Sequence, residues 1–360
     1  MKSNFDDGPP ENHNNKRLEG WKHELKTIID EHNSTKVSGR GSVSYRTRDK
    51  RKKMLFKMFN TLRTDLNYKI ENPANLKEKH IEALVKHWID AGLSAGTIDN
   101  NLSVLRTLCS WMGKVNMVKS LADYAPGMRR TYAAQTDKSW SGNGVDFWAV
   151  WDKVCSKDKN VGMQLLLVAA LGARRKEAVM FRPIVYGHEH YIELLSGTKN
   201  GRGRTVPVDD DFKRTVVATL KQFVLSKSRG VKGHIGNPDK NLEQNLSRYD
   251  NVLRRCGVSK AELGVTGHGL RAEFVIDELE KRGLVPTIRG GSGKASTQFE
   301  TDLAYFQVAE AVGHSRKSVM TAYSGKLVVK AGELVEDDSA STRLSWKHDA
   351  HKTLSKKEVK

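Results

Sequence analysis

Four separated stretches of this 360-residue chain carry residue types that together suit attack on a phosphodiester. In order they are LGARRKEA with Arg174 and Glu177, GTKNGRGRTVPV with Lys199, HGLRAEF with His268 and Arg271, and VGHSRKSVMTAY with His314 and Tyr323. A phosphodiester under attack passes through a pentacoordinate state of extra negative charge, so arginines and histidines are the expected cradle for its non-bridging oxygens. Tyr323 is the candidate nucleophile. A phenol with a reference pKa of about 10 attacks poorly at neutral pH, so nearby cations must favour the phenolate or a neighbour must take its proton. The departing 5' oxygen needs a proton in turn, which suits a lysine.

Each residue also has a plainer account. Arg174 alone could cap a helix or pair with Glu177, which lies one helical turn on and is cast as the acid that orients it. Lys199 sits in a basic stretch with Arg202 and Arg204, where contact with backbone phosphates explains all three. An isolated HxxR carries no information. Here it follows a Gly/Thr turn and opens a helix, whose N-terminus itself favours an anion. Tyr323 could be a core aromatic, but Ala322, Ser324 and Gly325 around it are small and leave its hydroxyl room to reach a ligand.

The elements that must hold these residues can be read from hydrophobic spacing. A polar arm (1–45) is expected to be weakly ordered, apart from a helix over residues 21–31. From Lys36 to Lys57 nine Lys or Arg residues face a single acid, Asp49. A block that one-sided fits phosphate contact, with Arg46, Arg48, Lys50, Arg51, Lys52 and Lys53 as its centre. Three amphipathic helices follow within residues 46–122, marked by Leu55, Met58, Phe59 and Leu62; by Ile81, Leu84, Val85 and Trp88; and by Ile98, Leu102, Leu105 and Met112. The third starts after Ser94 or Thr97, and its polar face with Ser103, Thr107 and Lys114 suits a helix laid on DNA.

Residues 123–143 read as a linker. A second domain (144–327) should hold a helix from Val145, a helix over Val161–Leu171 that is apolar nearly all round and therefore buried, and a break at Gly172. A hairpin over residues 188–208 should carry Lys199 at its tip. Helices near 211–227, 242–256 and 268–282 complete a mostly helical unit. His188 and His190 lack a third ligand nearby and read as strand surface, not a metal site. RGGSGKAS, within a stretch over 283–302 read as a flexible insertion with a possible DNA or subunit contact, fails as a nucleotide loop because Ile288 breaks its pattern and Ala295 follows the lysine. The tail, 328–360, has apolar spots at Leu344 and Trp346 and is a candidate for exchange between subunits.

Lys+Arg 61 against Asp+Glu 42 gives a formal charge of +19, which points to a polyanionic partner, nucleic acid before a membrane surface. The longest apolar run is too short to span a bilayer, and the polar N-terminus has no signal-peptide stretch. Cys109, Cys155 and Cys256 lack the paired spacing of zinc or disulfide sites and read as reduced core thiols.

Taken in order, LGAR, TKNGRGRTVP, HGLR and VGH, with Tyr323 nine positions after His314, resemble the tyrosine recombinase (phage-type integrase) family over residues 140–326 and more weakly over 47–118. The resemblance implies a mostly α fold with a small β-sheet: an N-terminal helical core-binding domain plus a C-terminal α+β catalytic domain. It implies that Arg174, His268, Arg271 and His314 hold the scissile phosphate and that Tyr323 forms a 3'-phosphotyrosyl bond. Lys199, with Arg202 as its rival, would protonate the leaving oxygen. The expected partner is double-stranded DNA, bound by a homo-tetramer on two sites that is monomeric or weakly associated without DNA. No metal or ATP is called for, and the expected location is cytoplasmic, near the nucleoid. Ala173, Ala272 and Val312 depart from the residues usual at those places, and the gap from Arg271 to His314 is long. A type IB topoisomerase or a telomere resolvase would use the same chemistry, and a non-catalytic DNA-binding regulator would use none of it.

Overall fold

Ser44 and Ser94 each accept a hydrogen bond from the amide three residues on, and so begin the two long helices of the N-terminal half. In the computed structural model, which describes residues 20–35, 41–198, 201–227, 229–326 and 354, the chain divides into two units, Met1–Thr131 and Tyr132–Lys360. The first contains α1 (Gly20–His32), α2 (Tyr45–Thr64), α3 (Glu78–Asp90), α4 (Ala95–Trp111) and the short α5 (Leu121–Tyr124). Its core is the set of apolar stripes read from the sequence, with Leu55, Phe59, Leu62, Ile81, Leu84, Ile98, Leu102 and Leu105 all fully buried. Trp21 and Leu25 of α1 join them.

The second unit runs through α6 (Phe147–Lys157), α7 (Lys159–Leu171), α8 (Arg175–Met180), α9 (Pro183–Tyr186), β1 (Tyr191–Leu194), β2 (Arg204–Pro207), α10 (Asp211–Ser226), α11 (Leu242–Arg255), α12 (Gly269–Glu280), α13 (Gln298–Ala311) and α14 (Thr321–Ser324). Asp158 caps α7 by accepting from the amides of Asn160 and Val161, and every residue from Val161 to Leu171 is buried. With no polar face, α7 can only be the central rod, and α6, α8, α10 and α12 pack around it. Each of its buried leucines contributes about 1.5–3 kcal/mol.

β1 and β2 pair antiparallel, with Leu194 opposite Arg204 and Tyr191 opposite Pro207. Ile192, Leu194, Val206 and Val208 turn to the core. Mostly helical with a small two-stranded sheet, the fold is the one expected. No helix among the described residues is long and apolar enough to cross a membrane. The tail beyond Lys326, apart from the buried Leu354, and residues 1–19 and 36–40 of the arm, including Lys36 and Arg40, lie outside the described residues.

Candidate active site

The site is assembled around the end of α7. Gly172 terminates that helix at φ 59°, a left-handed backbone that favours glycine. A Cβ there would also sit 2.4 Å from the Phe274 ring. The turn places Arg174 as N-cap of α8, where Glu177 accepts from the Arg174 amide at 2.7 Å.

Glu177 ties the site together. Its carboxylate takes Arg174 Nη1 at 2.8 Å and both terminal nitrogens of Arg204 at 2.7 Å each. Burial alone would raise this carboxyl, but Arg204 and Arg174 hold it down to about 2. The three arginines Arg174, Arg204 and Arg271 then meet at the C-terminal end of α13. Arg204 Nε donates to Ala311 O at 2.8 Å, Arg174 Nη2 to Val312 O at 2.9 Å, and Arg271 Nη2 also to Val312 O. A helix C-terminus carries partial negative charge and unpaired carbonyls, so it suits cations.

Arg271, on the first turn of α12, is fully buried, and its Nη1 donates to Gly172 O. Desolvation brings its guanidinium down to about 10, which leaves it charged at neutral pH. Its Nε donates to the Tyr323 hydroxyl at 3.3 Å. His314 Nε2 lies 3.5 Å from the same hydroxyl, with donor and acceptor set by the tautomer. The His268 and His314 rings each stand 6.1 Å from the Tyr323 ring. His268 lies at the solvent-facing rim, yet the packing around it, and then the charges of Arg271, Lys138 and Arg174, hold its imidazole below the usual histidine value. Gly313 bends back at φ 67° to bring His314 in; a Cβ there would lie 3.0 Å from Arg204 Cδ and 3.2 Å from Arg174 Nη1.

Arg174, Glu177, His268, Arg271, His314 and Tyr323 thus come together from segments far apart in the chain. Lys199 lies outside the described residues; β1 and β2 flank it on either side. Arg202 is exposed on the hairpin. Arg204 corrects the reading as a phosphate contact. It is buried, because strand alternation places it on the inward face with Val206 and Val208, and Glu177 occupies its fork.

The basic helix α2 keeps Arg46, Lys50 and Lys53 exposed, Lys53 with Asp49 at 2.9 Å, while Lys52 is half-buried. Arg48 is turned partly inward, its Nε on Val43 O at 2.8 Å, and Arg51 is half-buried, with desolvation lowering its pKa. Of the three DNA contacts expected along α4 and the turn after it, only Ser103 is exposed. Thr107 is buried and donates to Ser103 O at 3.0 Å, and Lys114 Nζ binds the Leu76 carbonyl at 2.8 Å, holding the turn before α3. Both are structural.

His188 meets Glu193 at 3.3 Å and His190 is exposed. Asp209, Asp210 and Glu278 cluster at metal-ligand spacing, but ammonium groups fill the space: Lys213 Nζ is 2.7 Å from Asp209 and 2.8 Å from Glu278, and Lys281 Nζ is 2.6 Å from Asp210.

Residues 31–118 match the model of the phage integrase N-terminal domain, and residues 127–277 match the integrase model. The chain belongs to the phage integrase family of tyrosine recombinases. The second match contains Arg174, His268 and Arg271 but stops before His314 and Tyr323. No curated protein matches this integrase. Among solved structures, its fold is similar to a lambda integrase dimer bound to a COC' core site, at 12% identity and a TM-score of 0.54, covering 87% of this chain and 80% of that one. It is similar also to the Tn1549 transposon integrase in complex with transposon right end DNA, at 11% identity and a TM-score of 0.52, over 89% and 98% of the two chains. A lambda integrase tetramer bound to a Holliday junction matches at 12% identity and a TM-score of 0.52, over 86% and 80%.

Proposed function

We propose that this integrase cuts and rejoins duplex DNA at specific sites with Tyr323 as nucleophile, in the integration or excision of a mobile element. The observation that carries the reading is the Tyr323 hydroxyl at 3.3 Å from Arg271 Nε and 3.5 Å from His314 Nε2, beside Arg174 and His268. Arg271, buried and charged, favours the phenolate as the proton leaves toward a neighbouring imidazole. The Tyr323 oxygen bonds to phosphorus, the bond from phosphorus to the 5' oxygen breaks, and that oxygen takes a proton. By family resemblance Lys199 supplies it. Arg174 and Arg271 offset the charge on the non-bridging oxygens, and His268 and His314 offer hydrogen bonds to them. A 5' hydroxyl from another strand then attacks the phosphotyrosyl ester and releases Tyr323.

The energy of the broken bond stays in that ester, so rejoining draws on neither ATP nor a metal. Exposed Arg46, Lys50 and Lys53 on α2, Ser103 on α4 and Arg202 on the hairpin are the proposed contacts to DNA. Two sequential strand exchanges need four sites, and the tetrameric lambda integrase on a Holliday junction supports a tetramer here. Residues 328–360 are proposed to make the exchanged contact between subunits.

The test is a nicked suicide duplex carrying a site selected from random-sequence DNA. A covalent protein–DNA adduct should form with wild type, persist in EDTA and be absent with Tyr323→Phe. An adduct of undiminished yield from Tyr323→Phe sinks the assignment. Supercoil relaxation without strand exchange would move the reading to a topoisomerase.

A further inference from the structure

The sequence reads 283–302 as a flexible insertion with a possible DNA or subunit contact; the structure instead anchors it at several buried residues, while 296–300 stay exposed. Leu284, Pro286, Arg289, Gly293 and Thr301 are buried. The glycine run closes a tight turn: Gly291 N donates to Pro286 O at 3.1 Å, Gly293 N to Val285 O at 3.0 Å, and a Cβ on Gly291 would lie 2.2 Å from Val285 O.

One side of this turn grips the residues that follow Tyr323. Thr287 Oγ1 donates to Ser324 O at 3.0 Å, and Gly325 lies so close that a Cβ on it would meet Thr287 Oγ1 at 2.4 Å and Ile288 Cγ2 at 2.8 Å. Tyr305, on α13, donates from its hydroxyl to Gly293 O at 3.3 Å and lies 3.4 Å from Ser324 Oγ. The other side grips the chain before α6. Arg289 lies 2.7 Å from Asp137 and donates from Nη2 to Ser139 Oγ at 2.8 Å and Ser141 Oγ at 2.9 Å. That chain is fixed to α12, because Glu273 accepts from the Trp140 amide at 3.0 Å and Trp140 Nε1 donates to Thr266 O at 2.9 Å.

We infer that this turn is a strut setting the distance between the nucleophile and its activating arginine, with Thr287 and Arg289 as positioning residues for Tyr323. The contacts form a closed circuit: Tyr323 and Ser324 to Thr287, Thr287 to Arg289, Arg289 to Ser139 and Ser141, Trp140 to Glu273, and α12 back through Arg271 to the Tyr323 hydroxyl. Tyr323 sits on a helix of a single turn, Thr321–Ser324, which has little rigidity of its own. Its hydroxyl is placed by what its backbone leans on: Ala134 N donates to Thr321 O at 2.8 Å at the start of the helix, and the 287–289 turn holds its end through Ser324 O. Neither residue touches the reacting atoms.

The inference rests on Tyr323 being the nucleophile, and the experiment separates the two. With the full-length protein and the nicked suicide duplex, Thr287→Val keeps the shape and removes the hydroxyl, whereas Thr287→Ser keeps it. Thr287→Val should slow single-turnover adduct formation about tenfold at saturating DNA, since small displacements of a reacting group are costly. DNA affinity should stay within about twofold, because no DNA contact is lost. Thr287→Ser should restore the rate. Without DNA, hydrogen exchange of the amides over 319–326 should accelerate in Thr287→Val. If Thr287→Val does not fold, Arg289→Lys replaces it, with the same slowing expected, since one ammonium cannot hold Asp137 and the two serines at once as the guanidinium does through Nε and Nη2. An adduct rate at saturating DNA within twofold of wild type overturns the strut, as does a defect in DNA affinity alone. An adduct with Tyr323→Phe would instead overturn the nucleophile assignment.

Discussion

Replacing Glu177 with glutamine keeps the side chain's shape and removes the one charge that two arginines share. Glu177 has no exposed side-chain surface and Arg204 only 4%, so the unpaired cation left behind is desolvated. Removing one partner from a buried ion pair costs about 3–5 kcal/mol. The carboxyl's own titration gives a similar size: a drop from 4.5 to about 2 corresponds to about 3 kcal/mol. Because the folded value lies below the unfolded one, this stability is fully present above pH 4.5 and is lost as pH falls toward 2. Glu177→Gln should therefore lose about 3–5 kcal/mol at pH 7, and the gap to wild type should narrow steadily below pH 4.5. For a unit this size that is a fall of about 6–20 °C in the thermal midpoint. Urea unfolding followed by tryptophan fluorescence at pH 7 and at pH 3 measures both quantities. Adding Arg204→Met to Glu177→Gln should recover part of the loss by removing the stranded cation. A gap below about 1 kcal/mol at pH 7, or one of equal size at pH 3, refutes the view that Glu177 is the site's shared counter-ion.

Gly172→Ala should destabilise by about 2–4 kcal/mol, from the left-handed backbone and the collision with Phe274, read by urea unfolding. Leu166→Ala, in the middle of the buried rod, should cost about 2–5 kcal/mol by the same measurement. His268 should titrate below 6.5 by imidazole NMR, and the unfolded chain then binds that proton more tightly, so stability contributed by this group declines as pH falls below 6.5; an inflection at or above that value counts against the crowded, cation-flanked placement. Arg46→Ala and Lys50→Ala should each lower the slope of log affinity against log salt by about 0.9 in a DNA-binding titration, whatever the sequence bound.

Much of this was legible because it depends on local spacing. The apolar stripes of α2, α3 and α4, the all-round apolarity of α7 and the break at Gly172 follow from periodicity and backbone preference, and Ser94 caps α4 where a cap was needed. Glu177 stands one turn after Arg174, and that spacing alone brings its carboxylate to Arg174 Nη1 at 2.8 Å. What escaped were contacts between segments remote in sequence. Arg204 looked like one more cation in a basic hairpin. Counting alternate residues back from Val208 and Val206 would have turned it inward, but the acid awaiting it stands 27 residues earlier. Thr107 lies opposite the apolar stripe of α4, and only the fold shows that this side is covered too; its neighbour Arg106 reaches across to the Val118 carbonyl at 3.2 Å. RGGSG looked mobile because glycine usually serves freedom. Here Gly290 and Gly293 supply positive φ and Gly291 a close approach, all in service of a packed turn.

The meeting of Arg174, Arg204 and Arg271 at the last carbonyls of α13 has a further consequence. Three like charges repel when drawn to one place, and in many phosphate sites the incoming anion must overcome that repulsion as it binds. Here the end of a fourteen-residue helix, and the carboxylate beside it, perform that gathering during folding. On the function proposed above, an arriving phosphate meets Arg174 and Arg271 already held in place, so its own attraction is left over for the chemistry.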